Sequence, residues 1–350
     1  MRRVPFTAGR FLAPWWLPEG HSQTVFGGKL RMVPRVSFSM ERWTMPDGEV
    51  IRADRATPHT PVTDETPTLL VLHGLEGSSD APYVRGMMRA GLKQGWHVEA
   101  VCFRGCGGLE LSTPKSYHAG FTEDLEECVR RLGAERPRSP LMMVGYSLGG
   151  NAMLKMLGGV WGEKPPAHVV GACTVSSPFD LEQCAVALDA WHPMVIIYRE
   201  RFLLSMRGKA RAYKKQFPGR IDDIDIGGLT TFKKFDDIIS ARVTGDGNAE
   251  TYWRNQSSRR FLDGIRVPTL LLNAHDDPLV PGHTVPVEQI AKQPALYLSL
   301  HRSGGHISFT WGTPTRPRNF AEEEAVRFFR AVLEHRATTG QGTQANPAVA

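Results

Sequence analysis

Apolar and polar residues change their rhythm several times along this chain. Between residues 37 and 56, SFSMERWTM and EVIRADRA flank Pro46-Asp47-Gly48, a pattern that predicts a β-hairpin. A polar connector, TPHTPVTDETP, separates it from TLLVLHG, a continuous apolar run ending in glycine. Such a run predicts a strand buried on both faces. WHVEAVCFRG, LMMVG, HVVGACTVSS, PTLLLNAHD and ALYLSLHRSGG read the same way, the last as the final strand. Between them lie segments with helical spacing. YVRGMMRAGLKQG stops at Gly95. FTEDLEECVRRLG repeats Phe121, Leu125, Cys128 and Leu132 on one face and stops at Gly133. GGNAMLKMLGG, PVEQIAKQ and FAEEEAVRFFRAVLEHR complete the alternation.

Short apolar strands alternating with amphipathic helices predict an α/β fold, its central sheet mostly parallel and covered by helices on both faces. One interval breaks the rhythm. Residues 178–266 are rich in charge and aromatics, and DLEQCAVALDA, VIIYRERFLLSMRGKARAYKKQ and TTFKKFDDIISAR read as helices, either a lid or cap over a site or a helical subdomain with no role in chemistry. The expected organisation is an arm at 1–36, a core at 37–177 that resumes at 267–336, the insertion between them, and a polar tail at 337–350 expected to be disordered.

Composition narrows the class. The 350 residues are 41% hydrophobic and 22% charged, enough for a large core. The net charge of +6 is modest and scattered, so nucleic-acid binding is not expected; the looser run from Arg199 to Lys215 reads more plainly as a solvated helix face. Five cysteines without a C-x-x-C pair read as buried thiols of a reducing compartment. Prolines and charges break up the first 20 residues before any signal-peptide core can form. No segment approaches the roughly 20 apolar residues of a membrane span. A cytoplasmic protein without an integral membrane segment is expected, with peripheral lipid contact left open, and oligomeric state is not readable.

The chemistry centres on Gly145-Tyr146-Ser147-Leu148-Gly149, between an apolar strand and a helix. This G-x-S-x-G pattern is that of a nucleophile elbow, although a plain tight turn would also use the glycines. A serine hydroxyl needs a histidine to remove its proton, and the imidazole needs a carboxylate to fix its tautomer. The chain supplies them in the order Ser147, Asp277, His306. Asp277 opens the turn DPLVP past a strand end, with Asp276 as its competitor; Asp180 reads as a helix N-cap. His306 follows the last strand among glycines. His73, His118, His275 and His301 have plainer structural readings within or beside strands and at a helix start. The oxyanion donors expected are the amide of Leu148, at the helix start, and that of Leu75 in HGLEGSS, with Glu76 as second choice. No metal or organic cofactor is implied.

Taken together, LPEGHSQTVFGG, HGLEGSS, FRGCGG, YHAGFTEDL, GYSLGGN, SSPFDL, NAHDDPLVP and GGHISF resemble the α/β-hydrolase superfamily. Within it they resemble the YheT-like group (AB hydrolase family 4), which includes esterases and lipases. The likeness runs from about Leu17 to His335. It implies the α/β-hydrolase fold with a helical lid insertion, and Ser147, Asp277 and His306 as nucleophile, acid and base. Alanine stands in YHAG where many members have serine, away from the triad. Eukaryotic members often carry an amino-terminal membrane anchor, which is not expected here. Arg104 in FRGCGG is expected to brace a loop or, less simply, to meet an anionic substrate group. Trp15 and Trp16 anchor the arm or form an apolar docking surface.

The reading this supports is a serine hydrolase cleaving small-molecule carboxylic esters or lipids through an acyl-enzyme. A thioesterase or other acyl hydrolase is the alternative within the same chemistry. A non-catalytic binding protein on the same fold is the alternative outside it.

Overall fold

The computed structural model describes residues 3–340. Its central sheet has eight strands: β1 (Ser39–Thr44), β2 (Val50–Ala56), β3 (Thr68–Leu72), β4 (His97–Val101), β5 (Leu141–Tyr146), β6 (Val169–Val175), β7 (Thr269–Ala274) and β8 (Leu296–His301). Their spatial order is β1-β2-β4-β3-β5-β6-β7-β8. The hairpin partners β1 and β2 run antiparallel, as do β2 and β4, and every later pairing is parallel. Every residue of β3 to β7 is buried, which explains their unbroken apolar runs, whereas edge strand β1 is mostly exposed.

The helices are α1 (Gly20–Val25), α2 (Pro82–Lys93), α3 (Glu123–Glu135), α4 (Leu148–Lys155), α5 (Leu181–Asp189), α6 (Pro193–Gln216), α7 (Phe232–Phe235), α8 (Ala241–Thr244), α9 (Ala249–Gln256), α10 (Val287–Lys292) and α11 (Phe320–Thr338). The two-residue period of β3 sends its side chains to two cores. Leu69 and Val71 pack with Met87 and Met88 of α2 and Phe328 and Phe329 of α11. Leu70 and Leu72 pack on the other face with Leu125 and Val129 of α3 and Met153 and Leu154 of α4. The sheet is thus sealed on both sides, which leaves the carboxyl ends of its strands as the place to build a site.

Between β6 and β7 the chain leaves the sheet to form a helical cap, α5 to α9. Asp180 caps α5 by accepting from the Gln183 amide, as its position predicts, and Pro193 starts α6 at the turn where a missing N–H costs nothing. The cap carries its own apolar cluster, including Leu203, Ile226, Phe232 and Trp253, and this cluster takes in Leu148 and Leu279 of the core.

Four features depart from the sequence reading. The stretch TTFKKFDDIISAR is not one regular helix, because a π-helical turn at Asp236–Ser240 joins α7 to α8. The arm, for which no elements were read from the sequence, holds α1, which continues into a π-helical turn at Phe26–Leu30. The sheet's last strand is followed by a separate hairpin, β9 (Thr310–Thr313) and β10 (Arg316–Asn319). The carboxyl-terminal helix runs to Thr338, into the stretch expected to be disordered; residues 341–350 of that tail lie outside the described residues.

Candidate active site

Ser147 closes β5 and precedes α4 with φ 51° and ψ −121°, a conformation that L-residues avoid. Its amide donates to the Val175 carbonyl at 2.9 Å, pinning the turn to the next strand. The flanking glycines are there for clearance. A Cβ on Gly149 would sit 2.4 Å from the His73 carbonyl oxygen, and one on Gly145 would sit 2.7 Å from the Gly150 backbone. Among the described residues four other non-glycine residues have positive φ: Glu76, Ser176, Ile307 and Phe309. Glu76 lies in the loop after β3, Ser176 follows β6, and the other two follow His306. Strain at about 1–3 kcal/mol per residue gathers around this one end of the sheet.

The Ser147 hydroxyl lies 3.0 Å from Nε2 of His306. Nδ1 of the same ring lies 2.9 Å from Oδ2 and 3.1 Å from Oδ1 of Asp277. Asp277 is buried, and its Oδ1 also accepts from the Leu279 and Val280 amides at 2.9 and 3.0 Å, which fixes the carboxylate plane. The competitor, Asp276, makes no contact with the imidazole. Its Oδ1 accepts from the Gly305 amide at 2.9 Å, while its buried Oδ2 has no partner among the described residues, and burial raises its pKa. Asp276 holds the loop and Asp277 holds the ring.

Leu75 and Leu148 both line the cavity beside Ser147 and His306. Neither amide has a hydrogen-bond acceptor among the described residues, whereas the Glu76 amide takes the Tyr117 hydroxyl at 3.4 Å. That geometry favours the Leu75 amide over the Glu76 amide. The Glu76 carboxylate is tied to the cap: it accepts from Lys209 at 2.9 Å and from Ser205, both on α6, and from Tyr117 at 2.7 Å.

The cavity, about 430 Å³, lies between this floor and the cap. Its walls are largely apolar, with Leu188, Met206, Phe232 and Trp253 among them, in the size range of small-molecule sites. At one wall the half-buried Asp236 carboxyl is pushed up to about 6 by desolvation, although Ser240 and Trp253 donate to it. Among the described residues no group of three or more His, Cys, Asp or Glu could hold a metal ion. All five cysteines are free and buried, and burial pushes each thiol above its ordinary range.

Two of the other histidines have structural surroundings. His73 is buried between the Gly74 carbonyl and the Phe103 amide, and burial lowers its pKa to about 4. His118 sits in the loop before α3, not at the helix start, with its ring against Phe121 and Tyr252. Arg104 is a brace. Its buried guanidinium bonds both oxygens of Asp124, and also Asp47 and the Lys115 carbonyl. Trp16 anchors the arm through the Gly312 carbonyl at 2.9 Å, but Trp15 is exposed.

Sequence reasoning assigned no role to Gln23, Thr24 or Asn151. Buried Gln23 accepts from the Thr310 amide and donates to the Leu17 and Thr310 carbonyls; Thr24 accepts from the His306 amide at 2.9 Å. Asn151, fully buried on α4, donates to the carbonyls of Ala119 and Gln256 and accepts from the Ser258 amide. The signal was present in the polar residues of HSQT and GYSLGGN, which an ordinary surface helix would not demand.

Residues 67–196 match the family model for the alpha/beta hydrolase fold. YheT of Escherichia coli (strain K12), provisionally named an esterase, is 33% identical over 319 residues, covering 90% of this chain and 91% of the relative. Phospholipase ABHD3 of Mus musculus is 28% identical, covering 91% of this chain and 78% of its own. Among solved structures, the esterase Pf2001 of Pyrococcus furiosus superposes with a TM-score of 0.53 at 16% identity, over 87% of this chain and 96% of that one, and so shares the fold. With this fold and a relative matched along nearly its whole length, the chain belongs to the α/β-hydrolase superfamily and, within it, to the YheT-like group.

Proposed function

We propose that this hydrolase cleaves carboxylic esters through an acyl-enzyme, with Ser147 as nucleophile, His306 as base and Asp277 as the acid that orients it. One observation carries the reading: the Ser147–His306–Asp277 relay, with contacts of 3.0 and 2.9 Å, opens onto an apolar cavity. Ser147 Oγ attacks the ester carbonyl carbon while His306 Nε2 takes its proton, and the Asp277 carboxylate stabilises the imidazolium. The Leu75 and Leu148 amides receive the oxyanion, each worth about 3 kcal/mol in the transition state. His306 returns the proton to the departing alcohol, then activates the water that releases the acid.

The apolar cavity beneath the cap supports an ester with an aliphatic acyl chain, and relatives named as an esterase and a phospholipase agree with that class. Residues 178–266 act as the lid over it. A fluorophosphonate probe, with peptide mass analysis, tests the nucleophile: labelling at Ser147 that disappears in Ser147→Ala is expected. A folded wild type that stays unlabelled refutes the mechanism. An ester series from acetyl to dodecanoyl tests the pocket, and activity confined to acetyl esters refutes the acyl-chain assignment.

A further inference from the structure

We infer that the face formed by the amino-terminal arm and the outer side of α6 docks on an anionic lipid surface. Two ring contacts, one hydrogen bond and one charge–charge interaction tie these segments together. The Trp16 ring packs edge-on against Phe26 at 4.9 Å. The His21 ring stacks on His192, just before α6, also at 4.9 Å, and its Nδ1 lies 3.2 Å from the Tyr198 hydroxyl. Lys29 lies near enough to Arg201 for their charges to repel.

Around these contacts large apolar side chains face water. Trp15 is 84% exposed and Trp191 90%, and Leu30 of the arm and Ile197 and Leu204 of α6 are exposed as well. Ile197, Arg201 and Leu204 follow at intervals of four and three residues, one stripe of α6. Isolated exposed apolar residues are ordinary; two tryptophans and three aliphatic residues around paired cations form a patch that calls for a partner.

The charge pattern names that partner. Lys29 and Arg201 have no ion-pair partner among the described residues, and partial burial and then the Arg201 charge hold the Lys29 ammonium below its usual range. The nearby carboxylates are engaged elsewhere. Glu19 accepts from the His21 and Ser22 amides, and Glu200 pairs with Arg199 and Arg207. Two uncompensated cations among interfacial tryptophans match a layer with negative headgroups above apolar chains. The arm also meets the site, since Thr24 accepts from the His306 amide, while α6 supplies Met206 to the cavity wall. A docked surface therefore meets the two elements that flank the cavity.

Vesicle co-sedimentation of the full chain tests this without relying on catalysis, and Ser147→Ala is expected to bind like wild type. Phosphatidylcholine vesicles are compared with vesicles containing phosphatidylglycerol as well. Binding to the anionic vesicles alone, weakened by salt, is expected. Each of Lys29→Ala and Arg201→Ala lowers partitioning by about fivefold, and Trp15→Ala with Trp191→Ala lowers it by about tenfold or more. These side chains are exposed and outside the catalytic machinery, so thermal stability and turnover of a soluble short-chain ester stay unchanged. Equal binding to both vesicle types, or no binding, overturns the inference. So does a dimer in sedimentation analysis that Trp15→Ala dissociates, which would assign the face to a second copy.

Discussion

Replacing Asp277 with Asn tests the relay with almost no change in shape. Oδ1 of Asp277 faces two amide donors, those of Leu279 and Val280, so the asparagine oxygen must occupy that position. The NH2 group then stands where Oδ2 was, 2.9 Å from Nδ1 of His306. Two N–H groups cannot face each other there, so Nδ1 becomes the acceptor and the proton moves to Nε2. That nitrogen, 3.0 Å from the serine hydroxyl, can then only donate and cannot remove a proton. The same tautomer inversion in Ser-His-Asp enzymes costs about 10⁴-fold in kcat, or about 5 kcal/mol of barrier. Steady-state hydrolysis of a p-nitrophenyl ester measures it, with circular dichroism as a check on folding. Asp276→Asn is the control: its Oδ1 can still accept from Gly305 and its Oδ2 has no partner to lose, so kcat stays within about tenfold. If Asp277→Asn keeps activity within tenfold of wild type, or Asp276→Asn falls as far, the assignment of the acid is wrong.

Other consequences can be measured on the purified chain. Asn151→Ala strands two buried carbonyls and the Ser258 amide, and chemical denaturation should show a loss of about 3 kcal/mol or more. An unchanged midpoint would refute the stitching role. Gly149→Ala forces a Cβ to 2.4 Å from the His73 carbonyl, so soluble yield and melting temperature both fall; a normal melting curve would show that the elbow has slack. Stability declines on acidification from about pH 6.5 to about pH 4. Burial holds His73, His97 and His118 near a pKa of about 4, against an ordinary 6.5, so the unfolded chain binds more protons across that window. Asp236, raised from 3.8 to about 6, acts in the opposite sense, as do Glu99, Asp124, Asp276 and Glu322, all raised by burial. His168 and His301, lowered by burial, add to the histidine side, which dominates the upper part of the window. Melting temperatures that stay level or rise between pH 6.5 and 4.5 would contradict that balance.

The sheet was legible because a strand buried on both faces leaves its mark in every residue, as TLLVLHG does. The relay was legible because chain order and turn chemistry constrain it. Ser147 needs glycines around it, Asp277 opens the turn after a strand, and His306 follows the last strand of the sheet. What escaped the sequence was polar or irregular. RPRN has no apolar side chain but proline and is exposed except at Asn319, so β10 had no apolar signature. The π-helical turn at Asp236–Ser240 has the same spacing as any helix to within one residue. Gln23 and Thr24 were quoted as part of a motif, but their work is done through contacts nearly 290 residues away in sequence, with Thr310 and His306. Asp276 and Asp277 are neighbours whose roles part only when the backbone turns one carboxylate toward Gly305 and the other toward the imidazole.

The cap leaves from the end of β6 and returns at the start of β7, two strands already joined by their own ladder from Ala172↔Thr269 to Val175↔Leu272. Closing a longer detour adds only about 0.6 kcal/mol for each doubling of its length. The hydrolase core is therefore nearly indifferent to how long this excursion is, and selectivity can drift there without disturbing the relay beneath. The length of the cap is thus loosely constrained but its seating is not: any graft must keep the backbone of Gln256 and Ser258 where Asn151 grips it, and the Ser205 and Lys209 side chains where Glu76 accepts from them.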